Sequence, residues 1–398
     1  MKIIYLHQYF KTKEEGGSHR SLFIAKAMVE AGFEVEMITA HNKKTPTYKM
    51  IDGIKVHYLP VYYDNKLGTV QRIISFIKFT WQCYRKARQI KQQAIDTPCI
   101  CYATSTPLTI GWVALWLKRW QNIPYVFEVR DLWPQAPIEM GVINNGWLQQ
   151  RLFALEAKIY RKALQIVTLS PGMQAAVQQK VPEKGILLAP NMADCHFFSP
   201  TLSTTKPPFV ISYIGTIGKA NHLDYLLQIA SLAEKKGVDQ VEFWIIGEGK
   251  ALANVRQKAK KLTNVKLYGA VDKSTTRRLL DQSHATYTSF LAKPVLTTCS
   301  PNKFFDSLAA GKLTIVNTSG WLKEIVEENQ CGFYAAPDKP GDFLDQLMPF
   351  ITQVDLLQKY QQNARKVAER QFSREKITQQ VVNLVKTQFD KQRKRKMV

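Results

Sequence analysis

"SPNKFFDSLAAGKLTIVN", residues 300–317, holds a complete helix-to-strand unit. Ser300 and Pro301 read as a helix N-cap followed by proline at the first helical position, where the missing N–H costs nothing. Gly311 reads as the residue past the helix end, where the backbone turns left-handed and a side chain is disfavoured. The apolar run "LTIVN" that follows is a strand. A helix of two to three turns feeding straight into a buried strand is the building block of an α/β fold. Asn302 and Lys303 stand at the amide end of this helix, a place that attracts anions. Asp306 lies one turn further in.

The same alternation runs outward in both directions. The first half carries the apolar runs "KIIYLHQYF", "EVEMITA", "IKVHYLP", "ICYATS", "YVFEVR", "QIVTLS" and "ILLAPN". Such continuous runs, separated by helices, imply a parallel sheet covered on both faces. At "CHFFSPTLSTTKPP", residues 195–208, Pro, Ser and Thr dominate and periodicity vanishes, which marks a linker. Alternation then restarts with "FVISYIG", "VEFWIIG", "VKLYGA", "ATYTSF", "LTIVN" and "GFYAA". The expected architecture is α/β, two Rossmann-like doubly wound domains facing a central cleft. Residues 1–198 form the first domain and residues 207–370 the second. Residues 371–398 form a capped helix with a basic tail, open to packing back on the first domain.

Composition bounds the function classes. The chain has 398 residues, 45% of them hydrophobic, enough for two cores. No apolar run reaches the roughly 18 residues of a membrane-spanning helix. The opening "MKIIYLHQYFKTKEE" reads as a first buried strand rather than a signal peptide, because His7 and Gln8 interrupt it and charge follows it. Six cysteines are scattered without metal-ligand spacing, as suits a reducing cytoplasm. Cys99 and Cys101 share one strand face and read as buried neighbours. The net charge of +23 implies an anionic partner: nucleic acid, an acidic membrane surface or a phosphorylated ligand.

In open α/β sheets ligands sit beyond the carboxyl ends of strands, so residues just after the strands are the candidates. Gly16, Gly17 and Arg20 follow the first strand, in a turn that lets amides approach a ligand or simply closes tightly. The turn lacks the G-x-G-x-x-G pattern of dinucleotide binders. Glu128, Arg130 and Asp131 follow the strand in "FEVRDLWP", where charge suits a site or a surface ion pair. In the second half, "YIGTIGKANHLD" places Gly215, Gly218 and Lys219 between a strand and a helix. "IIGEGKA" repeats the arrangement with Gly247, Gly249 and Lys250. Two glycine–lysine turns at successive strand ends suit a diphosphate. Asp306 suits either a vicinal diol or plain solvent.

Taken together, the GG turn, "EVRDLWP", "LAPNMADCHFFSP", "YIGTIG", "IIGEGK" and "SPNKFFDSLAAGK" resemble, in order, the glycosyltransferases of family 4. The subgroup most similar in appearance builds bacterial surface polysaccharides such as O-antigen and capsule. The resemblance implies the GT-B fold and a nucleotide-sugar donor, with UDP the implied nucleotide. It also implies retention of anomeric configuration without a protein nucleophile, metal or other cofactor. Asp306 would then bind the donor ribose. The amides near Ser300 and Asn302 would face the diphosphate or sugar, with Gly215, Gly218, Gly247 and Lys303 on the same donor side. Lys219 and Lys250 would stabilise the leaving diphosphate and Asp131 would position the reactants. Gly16, Gly17, Arg20 and Arg130 would line the acceptor side. The chain departs from the family at Thr298, where a first carboxylate is usual, and at Thr216 and Asn221, where an Arg and a Lys are usual.

Residues 65–91 contain Lys66, Arg72, Lys78, Arg85, Lys86, Arg88 and Lys91 and no acid. Ile73, Ile74, Phe76, Ile77, Phe79 and Trp81 are interleaved, either as core or as a membrane-interface face. Trp112, Trp116 and Trp120 recur every four residues on one helix face, and Lys391, Arg393, Lys394, Arg395 and Lys396 form a basic tail. The expectation is a peripheral protein on the cytoplasmic face of the plasma membrane, bound to anionic lipid through 65–91 and 391–396 and acting on a lipid-linked saccharide. A GT-B nucleotide-sugar epimerase would need no such face. A nucleic-acid binder would need a reading motif, which the chain lacks.

Overall fold

The structure, a computed structural model, describes residues 1–64, 67–94, 96–201 and 206–397, the last four as backbone only. Lys66 and the side chains of Lys394, Arg395 and Lys396 lie outside the described residues. The chain forms two compact units. One comprises Met1–Lys13, Gly17–Pro190 and Glu375–Val398, the other Glu14–Gly16 and Asn191–Arg374.

The first unit is built on β1 (Lys2–Leu6), β2 (Glu34–His41), β3 (Thr47–Ile51), β4 (Ile54–Pro60), β5 (Cys99–Thr104), β6 (Tyr125–Val129), β7 (Gln165–Thr168) and β8 (Ile186–Leu188). Their order is β3-β4-β2-β1-β5-β6-β7-β8. β1 and β5 are buried along their whole length, as the apolar runs require. Cys99 and Cys101 are both buried and free. The expectation of a wholly parallel sheet is corrected at one edge, where β3 pairs antiparallel with β4. Asp52 and Gly53 join them with φ of 48° and 80°. An Asp-Gly pair with both φ positive is the hairpin signal. β3 has no apolar run because the edge strand faces solvent.

The second unit is built on β9 (Phe209–Ile214), β10 (Val241–Ile246), β11 (Val265–Gly269), β12 (Ala285–Thr288), β13 (Leu313–Val316) and β14 (Gly332–Tyr334), ordered β11-β10-β9-β12-β13-β14. Every pair in it is parallel. The chain passes between the units at Pro190 and Asn191, ahead of the Pro/Ser/Thr stretch. Apolar burial moves the boundary: Ala193 and Phe198 lie in the second unit's core beside Phe304, Phe305 and Leu308. The helix of the opening stretch spans Asn302–Ala309, and Gly311 follows it with φ of 61°.

Two local expectations change. Ser300 does not cap that helix, because Pro301 takes the cap position. The Ser300 hydroxyl accepts from the Asn191 N–H at 3.2 Å, and its carbonyl accepts from Asn191 Nδ2 at 2.5 Å. In the helix Thr69–Gln92, Phe79, Cys83, Ala87 and Ile90 fill the core. Ile73, Ile74, Ile77 and Trp81 do not, remaining 49–58% exposed. Of the tryptophans, Trp116 stacks on Trp120 at 5.9 Å while Trp120 itself stays exposed.

Arg20 begins the first unit's helix Arg20–Glu30 and is 2% exposed. Its Nε and Nη2 donate to Glu128 Oε2 at 3.1 and 3.0 Å, and Nη1 and Nη2 donate to the carbonyls of Pro190 and Ala189. Tyr102 and Thr104 donate to the same carboxylate at 2.7 and 3.0 Å. Burial alone would raise the Glu128 pKa, but Arg20, Arg130 and Tyr102 outweigh it and hold the carboxyl below its ordinary value. Arg20→Met strands a buried carboxylate and is expected to cost about 3–5 kcal/mol. Because the wild-type Glu128 pKa is depressed, the pair's contribution is present above the unfolded carboxylate's pKa and fades as pH falls. Urea melts from neutral into acid pH are expected to show the gap between wild type and variant narrowing as the medium acidifies.

Candidate functional site

In the second sheet the strand order reverses between β9 and β12, the switch point where doubly wound sheets bind ligands. The glycine turns after β9 and β10 are packed on each other. A Cβ on Gly247 would lie 1.9 Å from the Gly215 carbonyl oxygen, and one on Gly249 would lie 2.2 Å from that of Ile217. The Gly215 N–H donates to Ile246 O at 2.9 Å and the Ile217 N–H to Glu248 O at 2.7 Å. Close backbone approach therefore accounts for Gly247 and Gly249. Gly218 is less crowded, with the nearest atom 3.8 Å from a notional Cβ. Lys219 and Lys250 are both exposed at their turns.

Lys303 lies against the first of these turns, with Cε 3.1 Å from the point a Gly215 Cβ would occupy. Its ammonium donates to the Tyr213 hydroxyl at 2.7 Å and sits 4.0 Å from the Tyr213 ring centre and 6.0 Å from that of Phe290. Tyr213 is the penultimate residue of β9 and Phe290 follows β12, so the lysine occupies the switch point. It forms no ion pair among the described residues, and burial pushes its pKa down to about 7. An aromatic-lined cation lacking a counter-charge is suited to receive an anion.

Asp306 is half-buried one turn along the same helix, and its carboxylate has no hydrogen-bond partner among the described residues. Burial raises its pKa to about 7; Lys273 opposes the rise and Asp194 adds to it. Asp194 is paired with Arg374 at 3.2 Å and Lys273 at 3.7 Å. Thr298 is half-buried, and its hydroxyl donates to Val295 O at 2.7 Å. Asn302 is the first residue of the helix, two residues beyond Ser300.

In the first unit the order reverses between β1 and β5. Arg130, past the end of β6, places Nη1 3.2 Å from His7 Nε2 and donates through Nη2 to the Ser18 hydroxyl at 2.9 Å. Its backbone N–H donates to the Ser105 hydroxyl at 3.1 Å. Asp131 accepts from the Thr106 hydroxyl at 3.3 Å. Burial raises its pKa, against the pull of Arg130 and Thr106. Burial and Arg130 together push His7 down, so its ring is neutral. His7 Nδ1 and both amide atoms of Gln8 are buried without partners among the described residues. Gly17 has φ of 118°, which favours glycine, while Gly16, which belongs to the second unit, has no atom within 4 Å of a notional Cβ.

The structure thus brings Gly215, Lys303 and Tyr213 together, and separately Arg130, His7, Ser18 and Ser105. Arg20 stands apart: its guanidinium is committed to Glu128 and to two carbonyls, which corrects its placement on a ligand face. Tyr213, Phe290 and His7 are additions. His7 was visible as the first polar residue after β1. The two aromatic residues carried no signal that set them apart from core.

Two family models match the chain, a glycosyl transferase 4-like domain over residues 15–191 and a glycosyl transferases group 1 domain over residues 208–353. The chain belongs to the glycosyltransferases. It has the GT-B fold of solved relatives that it matches end to end. Sucrose-phosphate synthase from Thermosynechococcus elongatus aligns with a TM-score of 0.78 at 15% identity, over 98% of this chain and 99% of that one. HepE of Anabaena, solved with UDP and glucose, aligns at 0.67 and 15% identity over 97% and 100%. WaaG, a glycosyltransferase involved in lipopolysaccharide biosynthesis, aligns at 0.64 and 11% identity over 96% and 99%. No curated protein matches the sequence.

The raised Asp306 pKa has a sign that can be tested. Between the ordinary value of 3.8 and about 7 the folded protein holds a proton that the unfolded chain has released. Stability contributed by this group therefore declines as pH rises through that window. Asp306→Asn removes the decline, so the variant's melting temperature is expected to rise relative to wild type with increasing pH.

Proposed function

We propose that this glycosyltransferase moves a sugar from a UDP-sugar to a membrane-associated, lipid-linked saccharide, with retention of configuration and without a metal, in bacterial surface polysaccharide synthesis. The observation that carries the donor assignment is Lys303, a cation at the second sheet's switch point that forms no ion pair among the described residues. The diphosphate sits against Lys303, Gly215 and the amide end of the Asn302–Ala309 helix, where dipoles and charge favour it. Asp306 accepts from the ribose hydroxyls, and Ser300 contributes through backbone rather than side chain. Gly218 and Gly247 shape the two turns, from which Lys219 and Lys250 reach the leaving group.

The bond from the anomeric carbon to the diphosphate breaks and the acceptor oxygen bonds to the same face. The acceptor proton passes to the departing phosphate oxygen. Fixed cations and amides stabilise the charge as it develops. Arg130 and the unsatisfied atoms of His7 and Gln8 offer polar contacts to the acceptor, with Gly16 and Gly17 giving backbone access and Asp131 positioning. HepE, solved with UDP and glucose, and WaaG, named for lipopolysaccharide biosynthesis, support this choice of substrates.

Membrane attachment rests on the helix Thr69–Gln92. Val70, Ile74, Ile77 and Trp81 recur at helical spacing and are 56–70% exposed. Lys78, Arg85 and Arg88 flank them, and the helix holds no acid. A basic helix with an outward apolar stripe lies in a lipid interface, while no helix among the described residues is long and apolar enough to cross a membrane. Described Lys391 and Arg393 add charge, at about 1 kcal/mol each near an anionic surface.

Two outcomes are expected. UDP at 100 times its dissociation constant raises stability by about 2.7 kcal/mol, in EDTA as without it, and the shift disappears in Asp306→Ala. Because Lys303 is pushed down, diphosphate binding in mildly alkaline buffer draws a proton onto it. Calorimetry in two buffers of different ionisation enthalpy is expected to show that uptake, and Lys303→Met to abolish it. Separately, Ile74→Ser with Trp81→Ser is expected to abolish sedimentation with anionic vesicles while leaving the melting temperature and UDP binding unchanged.

A further inference from the structure

A second cationic cluster lies at the amino ends of the first sheet's strands, away from His7 and Arg130 at their carboxyl ends. Four elements converge there: the helix Ile110–Trp120, the helix Gly146–Lys162, the turn before β8 and the last helix, Arg374–Met397. They supply Lys118, Arg161, Lys184 and Lys391 to one cavity of about 320 Å³. Lys118 donates to the carbonyl of Lys162 at 2.7 Å and Lys184 to that of Ala163 at 2.9 Å, both at the end of the same helix. Two ammonium groups are thereby held near each other, each with N–H groups to spare.

Helix capping explains Lys118 and Lys184, since cations favour a helix C-terminus. It does not explain the rest. Arg161 and Lys391 add two more positive charges to the same cavity, and Lys158 and Lys162 line its neighbour. None of these six cations forms an ion pair among the described residues. The adjacent acids Glu183 and Asp390 are exposed and form none either. Gln392, which also lines the cavity, has its Nε2 buried without a partner. A buried donor left unmade is costly, and folded proteins rarely keep one. Burial, together with the charges of Lys162 and Lys184, also lowers the Lys118 pKa, a penalty that a bound anion would relieve.

We propose that this cavity is a second anion site, one that takes a phosphate monoester or diphosphate group between Lys118, Lys184, Arg161 and Lys391. Its volume admits more than one phosphate. Phosphate oxygens accept from the two ammoniums, the guanidinium and the Gln392 amide, and join the last helix to the helices Ile110–Trp120 and Gly146–Lys162. The site is independent of the donor assignment, because every residue in it belongs to the first unit. The phosphate comes either as a free ion or as a lipid headgroup.

The test is calorimetric titration of the full chain with pyrophosphate, comparing wild type with Arg161→Gln/Lys391→Gln. Both side chains are solvent-facing, so the variant is expected to melt with the wild type. The difference between the two proteins isolates this site from any phosphate bound in the second unit. Losing two charge-assisted contacts is expected to weaken one binding event about tenfold or more. Cosedimentation of Arg161→Gln alone with phosphatidylglycerol vesicles separates the sources, because Lys391 also adds to the charge that meets an anionic surface. A parallel loss there identifies a lipid headgroup, and retained vesicle binding identifies a free phosphate compound. Identical titrations of wild type and variant, with vesicle binding also unchanged, would overturn the site.

Discussion

The Arg20–Glu128 pair holds the carboxyl end of the first sheet together. Both groups are out of water, and desolvating two ions costs several kcal/mol each unless every remaining lone pair and proton is matched. Here they are matched. Tyr102 and Thr104 complete the carboxylate, and the carbonyls of Ala189 and Pro190 complete the guanidinium. One ion pair thus joins the first helix, β5, β6 and the strand exit beyond β8. The chain passes from this unit to the second at Pro190, so the same contact holds that crossing point. Arg130 stands two residues beyond Glu128 and reaches His7 and Ser18 from a backbone that this network holds in place.

The second unit brings its strand-end turns together with backbone alone. Gly247 and Gly249 bring one turn onto another at distances that no side chain permits. This packing supports the Gly215 turn, against which Lys303 lies. The lysine is exposed to a site geometry that disfavours its own charge, and Asp306 is held in the opposite sense, reluctant to ionise. Both groups are destabilised in their charged forms for one reason, removal from water. A ligand carrying phosphate charge and diol hydroxyls would reverse the penalty on each. That is the physical link between the fold and the transferase chemistry proposed for it.

Strand after strand was legible in the chain because burial on both faces demands uninterrupted apolar runs. β3 was not, for the same reason read backwards: an edge strand facing solvent needs no such run, and only Asp52-Gly53 announced it. Strand-end charges were visible as a class. Their direction was not, so Arg20 and Arg130 looked alike although one is sealed in the core network and the other is half-exposed. The serine-proline start of the Asn302–Ala309 helix looked like a cap, but Asn191 claims Ser300, a partner more than a hundred residues away. In the helix Thr69–Gln92, the interleaved apolar residues suited core or a membrane face, and the sequence did not say which of them the sheet would cover.

By itself, then, the sequence determined the α/β alternation, the places where turns follow strands, and the glycines and charges gathered at those turns. These are local properties, set by residue period, backbone freedom and capping chemistry within a few positions. Tertiary structure alone decided which charges pair, which glycines serve packing, and that Lys303 lies at the switch point against Tyr213 with no ion pair among the described residues. It also decided which apolar stripe meets solvent. Each of these depends on distances between residues remote in sequence, and on the loss of water where they meet.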